Sequence, residues 1–249
     1  MKRAAALLAL LCLMLSGCSF SLYEGEKPPV HTVPSASDIS ESASLVCTGE
    51  LTDDSEKVIA TYEASVPQFD TVEGREDAFT RINDFYKAEA NALSQDMQSF
   101  FDYVKRLSDK KELTAVSHVS FSYELMPCDP KYICVSRLYS ISENGAVSSH
   151  PTAQVFLTDT GWRLSFKELF GENTEKALSV LKNSLAEWCI VNGLSDVFLP
   201  ELDEEYLDNR FGMTEENFFI CFDPFFTSAA DYDYHIALLD LDPFRALFN

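Results

Sequence analysis

The chain has 249 residues, 46% of them hydrophobic, and carries 40 acidic against 19 basic side chains, a net charge of −21. That balance excludes nucleic acid as a partner, because binding it depends on neutralising phosphates, and it argues against lying flat on an anionic membrane. A cationic partner is favoured instead, through electrostatic steering.

Lys2 and Arg3 precede twelve apolar residues, 4–15, and then Ser16-Gly17-Cys18. As a helix the apolar run reaches roughly 18 Å at ~1.5 Å per residue, short of the ~30 Å of a bilayer core. It therefore reads as a signal peptide, residues 1–17. The small residues before Cys18 form a lipobox, in which the Cys18 thiol attacks a diacylglycerol donor. Two or three acyl chains, palmitate among them, suffice for stable anchoring. This places the protein on the extracellular side of the cell membrane, held by lipid. Losing Lys2 and Arg3 with the signal takes the charge to −23.

Residues 18–44 hold the lipidated cysteine and a Ser-, Pro- and charge-rich stretch without hydrophobic periodicity, a disordered tether. Its reach is roughly 28 Å for a flexible chain. The folded domain spans 45–249, with candidate subdomains 45–143 and 144–249.

Within it, "KVIATYEASVPQF" (57–69) reads as a strand ending at Pro67. From 73 to about 107, Phe79, Ile82, Phe85, Tyr86, Leu93, Met97, Phe100 and Val104 recur at three- and four-residue steps, which predicts a long amphipathic helix. "TAVSHVSFSYELM" and "YICVSRLYSIS" alternate about Pro127–Pro130 as a hairpin. "AQVFLTDTGWRLSF" predicts a second hairpin turning over 158–161. A helix is predicted over 174–191, capped by Asn173 or Thr174, with Gly193 just past its end. Residues 217–222 and 232–241 are further strands, and "PFRALF" closes the chain as a short helix. The fold class is α+β: antiparallel sheets with a long N-terminal helix and a second helix packed on one face.

This order of elements, with certain motifs, resembles the extracellular RsiV-like domain family. One motif set is Tyr62, Val66-Pro67-Gln68-Phe69 and Ile82-Asn83; a second runs from Thr160-Gly161-Trp162 to Leu169-Phe170. A third comprises Phe211, Met213-Thr214, Phe218-Phe219, Phe222 and Pro224-Phe225, with the strand to Leu241. The glycine the family carries after the Pro-aromatic step is missing, since residues 226–231 stand there. The resemblance implies an extracellular recognition module, found in lysozyme-sensing anti-sigma factors and at the front of PdaC-type peptidoglycan deacetylases. With no sigma-binding segment or deacetylase domain in the sequence, it implies neither of those activities here.

Catalytic motifs are missing: no GxSxG, HExxH, P-loop or GxGxxG occurs. The reading is non-catalytic, without cofactor or metal. Asp233 and His235 share one strand face, and surface pairing explains them. Cys128 and Cys134 flank a turn and either pair as a disulfide across it or serve, with Cys47, Cys189 and Cys221, as small apolar fillers. The candidate ligand surface combines aromatic anchors Phe225, Phe226, Tyr232 and Tyr234 with an acidic rim of Glu201, Asp203, Glu204 and Glu205, a combination suited to protein interfaces. The expected function is recognition of a cationic protein such as lysozyme. The alternatives are a peptidoglycan or glycan-binding module, or an envelope glycan enzyme using carboxylates.

Overall fold

A computed structural model describes residues 41–194, 202–223 and 234–249, and these fall within one compact unit. Five strands, β1 (Glu41–Thr52), β2 (Val58–Phe69), β3 (Ser117–Met126), β4 (Tyr132–Glu143) and β5 (Ala146–Leu157), form a sheet in sequence order. A smaller antiparallel sheet comprises β6 (Phe211–Met213), β7 (Asn217–Phe222) and β8 (His235–Asp240). The fold class is α+β, as the sequence leads one to expect.

β1 and β2 form a hairpin closed by Asp53, whose carboxylate accepts from the amides of Ser55 and Lys57 at 2.9 and 3.0 Å. β1 begins at Glu41, inside the stretch read as tether, and the sequence reading assigns no strand to it. Pro67 does not end β2: it pairs with Ser44 of β1 and lies beyond the last residue paired to β3, where its missing N–H costs no ladder bond.

The long helix α1 (Glu76–Asp109) links β2 to β3 and makes that pair parallel, the one departure from antiparallel order. A parallel pair needs such a crossover. α1 buries Phe79, Ile82, Tyr86, Leu93 and Val104 against one face of the large sheet, with Phe100 against Tyr62. Asn83 acts as a substitute strand. Its side chain accepts from the amide of Phe69 at 2.9 Å and donates to the carbonyl of Phe69 at 3.0 Å.

β4 and β5 are joined by Asn144-Gly145, both at positive φ, 51° and 82°, the two-residue turn that matches strand twist. The boundary read at 143/144 thus falls in a hairpin whose strands pair from Tyr132↔Leu157 to Glu143↔Ala146, and the sheet spans it. The turn expected over 158–161 is present, but its returning limb contributes only the bridge Phe156↔Arg163. This turn is pinned to α1. Arg75 donates to Thr158 Oγ1 at 2.8 Å and pairs with Asp159 at 2.6 Å, and Arg81 lies 4.1 Å over the Trp162 ring. A Cβ on Gly161 would stand 2.1 Å from the carbonyl oxygen of Ala78, so only glycine permits this approach.

Beyond it, α2 (Phe166–Phe170) is closed by a capping box, Ser165 with Glu168. After a 3-10 turn (Gly171–Asn173), α3 (Thr174–Val191) follows the predicted bounds. Asn173 makes no cap bond there; its amide donates to the carbonyl of Leu247 at 3.1 Å. α3 packs against β8 as α1 packs against β2. α4 (Glu204–Leu207) and α5 (Asp242–Arg245) are single turns.

Candidate functional site

The described residues include only part of the candidate surface singled out in the sequence. Cys18, Glu201, Phe225, Phe226, Tyr232 and Asp233 lie outside the described residues. Asp203, Glu204 and Glu205 open α4. Asp203 is its N-cap, accepting from the amide of Tyr206 at 2.8 Å, while Lys167 approaches Glu204 at 3.8 Å. Asp203 and Glu205 are exposed, as is Tyr234 just ahead of β8. His235 sits edge-on to Trp188.

Of the two readings of Cys128 and Cys134, a disulfide or apolar fillers, the structure has the second: both are buried free thiols with other partners. Cys128 Sγ donates to the carbonyl of Tyr132 at 3.4 Å, and Cys134 Sγ accepts from the amide of Met213 at 3.3 Å. Burial pushes the Cys128 thiol up to about 11 and that of Cys134 higher still. With Cys189 and Cys221 they fill the core.

Sequence reasoning missed a polar array at the edge of β5. His150 belongs to that strand. Its Nδ1 stands 3.0 Å from Asp223 Oδ1, and its Nε2 stands 3.0 Å from Ser148 Oγ. A carboxylate only accepts, so Nδ1 carries a proton toward Asp223. Arg210 holds the other oxygen of Asp223 at 2.5 Å and lies over the Tyr206 ring. Burial opposes the charge of Asp223, but the His150 hydrogen bond and Arg210 together hold its carboxyl below the usual carboxylate range. The order serine, imidazole, carboxylate resembles a nucleophile with its base and orienting group. The imidazole, however, is only 14% exposed and stacked on Tyr139. That suits a fixed clasp between the two sheets better than a base that must meet substrate.

A second polar assembly lies buried under α1. Arg137 pairs with Glu89 and donates to Thr152 Oγ1 at 2.8 Å, while Tyr86 donates to Gln154 at 2.9 Å. Burial raises the Tyr123 hydroxyl far above its ordinary value, and the Glu89 charge adds to this.

A cleft of about 390 Å³ lies where β2 and β3 part. The two strands pair only from Ala60↔Ser117 to Ala64↔Phe121, yet continue to Phe69 and Met126. Glu63 and four serines, Ser65, Ser120 and Ser122 among them, line the resulting gap together with Pro67, Phe121 and Tyr123.

Neither a protein-family model nor a curated protein matches this chain. Two solved structures share its architecture. A DUF3298 family member from Bacteroides fragilis superposes with a TM-score of 0.55 at 10% identity, covering 85% of this chain and 93% of its own. A DUF3298 family protein from Pseudomonas aeruginosa gives 0.53 at 11% identity, covering 88% and 95%. The fold is shared with DUF3298 proteins. At such identity the likeness speaks for the arrangement of sheets and helices alone. Among the described residues no helix is long and apolar enough to cross a membrane.

Proposed function

We propose that the chain is a bacterial lipoprotein, cut before Cys18 and anchored through it on the outer side of the cell membrane. Its α+β domain is an RsiV-like recognition domain that binds a cationic protein such as lysozyme and catalyses no reaction. The observation that carries this reading is charge: −23 after loss of the signal, with eight carboxylates against Arg210 alone between 196 and 216. The exposed carboxylates of Asp203 and Glu205 at the start of α4 support it. Charges at such a rim act mainly on the association rate.

Because Asp203 caps α4, the informative variant leaves it alone. Glu204→Gln with Glu205→Gln is expected to slow association with lysozyme in surface-based kinetics and to flatten its salt dependence, with little change in dissociation. An unchanged association rate at low salt would remove α4 from the interface.

A further inference from the structure

We propose that the cleft between β2 and β3 is a binding site for a saccharide bearing a free amine, a site independent of the cationic-protein surface. Parallel strands that part after five paired positions leave a wedge open on the face of the large sheet opposite α1. Alternation along β2 and β3 turns Glu63, Ser65, Ser120 and Ser122 to that face. Its volume, about 390 Å³, falls in the range of small-molecule sites.

The chemistry of the lining selects the ligand. Each serine hydroxyl both donates and accepts, which matches a polyol, whose own hydroxyls do the same. An apolar ligand would strip these groups of water and leave them unpaired. No basic side chain stands among the described lining residues, and Glu63 brings a carboxylate. Phosphates and carboxylates are repelled there, whereas an ammonium group gains a charge-assisted hydrogen bond.

A peptide adding as an extra strand is the obvious rival, and β2 is closed to it. Pro67 has no N–H, and its carbonyl accepts from Gln68 Nε2 at 2.8 Å. Both backbone groups of Phe69 are held by Asn83. On the β2 side of the cleft the backbone groups of Pro67 and Phe69 are therefore spent on side chains, and recognition there falls to the hydroxyls and Glu63.

The test is calorimetric titration of the full lipidated chain in detergent with a glucosamine trimer, and with maltotriose as the amine-free control. Binding of the glucosamine trimer, with maltotriose about tenfold weaker for want of the ammonium contact, is expected. Glu63→Gln should weaken the trimer about tenfold by the same loss, and Ser122→Trp, which fills the mouth of the cleft, should abolish binding. Glu63→Gln is isosteric at an exposed position, so it keeps the test decisive should Ser122→Trp fail to fold. No binding by the wild-type chain, or binding unchanged in either folded variant, overturns the proposal.

Discussion

The two sheets are held by different means. Around the small sheet the core is phenylalanine on phenylalanine: Phe218 stacks on Phe211 at 5.9 Å and on Phe244 at 4.5 Å, with Phe166 and Phe170 at its edges. Backbone and rings approach so closely that a Cβ on Gly212 would stand 2.2 Å from the Phe219 ring. Under α1, by contrast, apolar packing is interleaved with polar pairs, Arg137 with Glu89 and Tyr86 with Gln154, and the sheet itself opens into a cleft. A dry aromatic core resists local change at high cost. A polar interface costs more to build, and its stability depends on every charge keeping its partner. The proposed saccharide site lies on the other face of the large sheet, away from α1.

Breaking the aromatic core should have the largest effect. Phe218→Ala removes a fully buried ring and is expected to cost about 3–5 kcal/mol, lost burial plus the cavity left behind. Urea unfolding measures it. A loss under ~1 kcal/mol would mean that the ring stack is not what holds the small sheet.

The polar interface fails differently. Glu89→Leu leaves Arg137 buried beside α1 without its ion-pair partner, at a cost of about 3–5 kcal/mol. Adding Arg137→Met should recover most of that, because two apolar side chains replace the pair without an orphaned charge. No recovery in the double variant would show that the ion pair itself, and not the avoidance of an unpaired charge, stabilises this interface. No such rescue is open to Phe218→Ala.

A smaller loss, about 1–3 kcal/mol, is expected for Asn83→Ala, which leaves both backbone groups of Phe69 without their hydrogen bonds. If the variant is as stable as wild type, water replaces Asn83 freely and β2 is not closed by it.

The smallest effect belongs to the clasp between the sheets. The Asp223 carboxyl is depressed in the folded chain, so its contribution is present above the ordinary carboxylate value of about 4 and is lost as pH falls through the folded value. Asp223→Asn should therefore be less stable than wild type at pH 7, with the gap closing below about pH 4. Urea midpoints at pH 7 and pH 3 decide it, and an equal gap at both would refute the role of this charge.

Much of the helical framework was legible in the sequence, for a local reason. α1 and α3 repeat apolar residues at three- and four-residue steps, and β7 is a continuous apolar run. Asn144-Gly145 was equally local and equally visible, a hairpin signal passed over in favour of Thr158–Gly161. The two short elements α4 and β6 carry too few residues to show a period. Nor was the clasp legible: His150 and Asp223 stand 73 residues apart and meet only once the sheets are placed. The cleft depends on where two strands stop pairing, which no periodicity records. Several motif residues behind the RsiV-like resemblance are now explained structurally: Asn83 holds Phe69, Gly161 admits the Ala78 carbonyl, and Phe218 and Phe219 are core.

The most direct test of the proposed function is the association of the wild-type lipidated chain with lysozyme at two salt concentrations, near 20 and 200 mM, followed on a surface. Steering by the acidic domain predicts binding at the lower salt and an association rate that falls steeply at the higher, as the screening length shortens from roughly 20 Å to under ~10 Å. Failure of the folded chain to bind at the lower salt, or an association rate indifferent to salt, would contradict it.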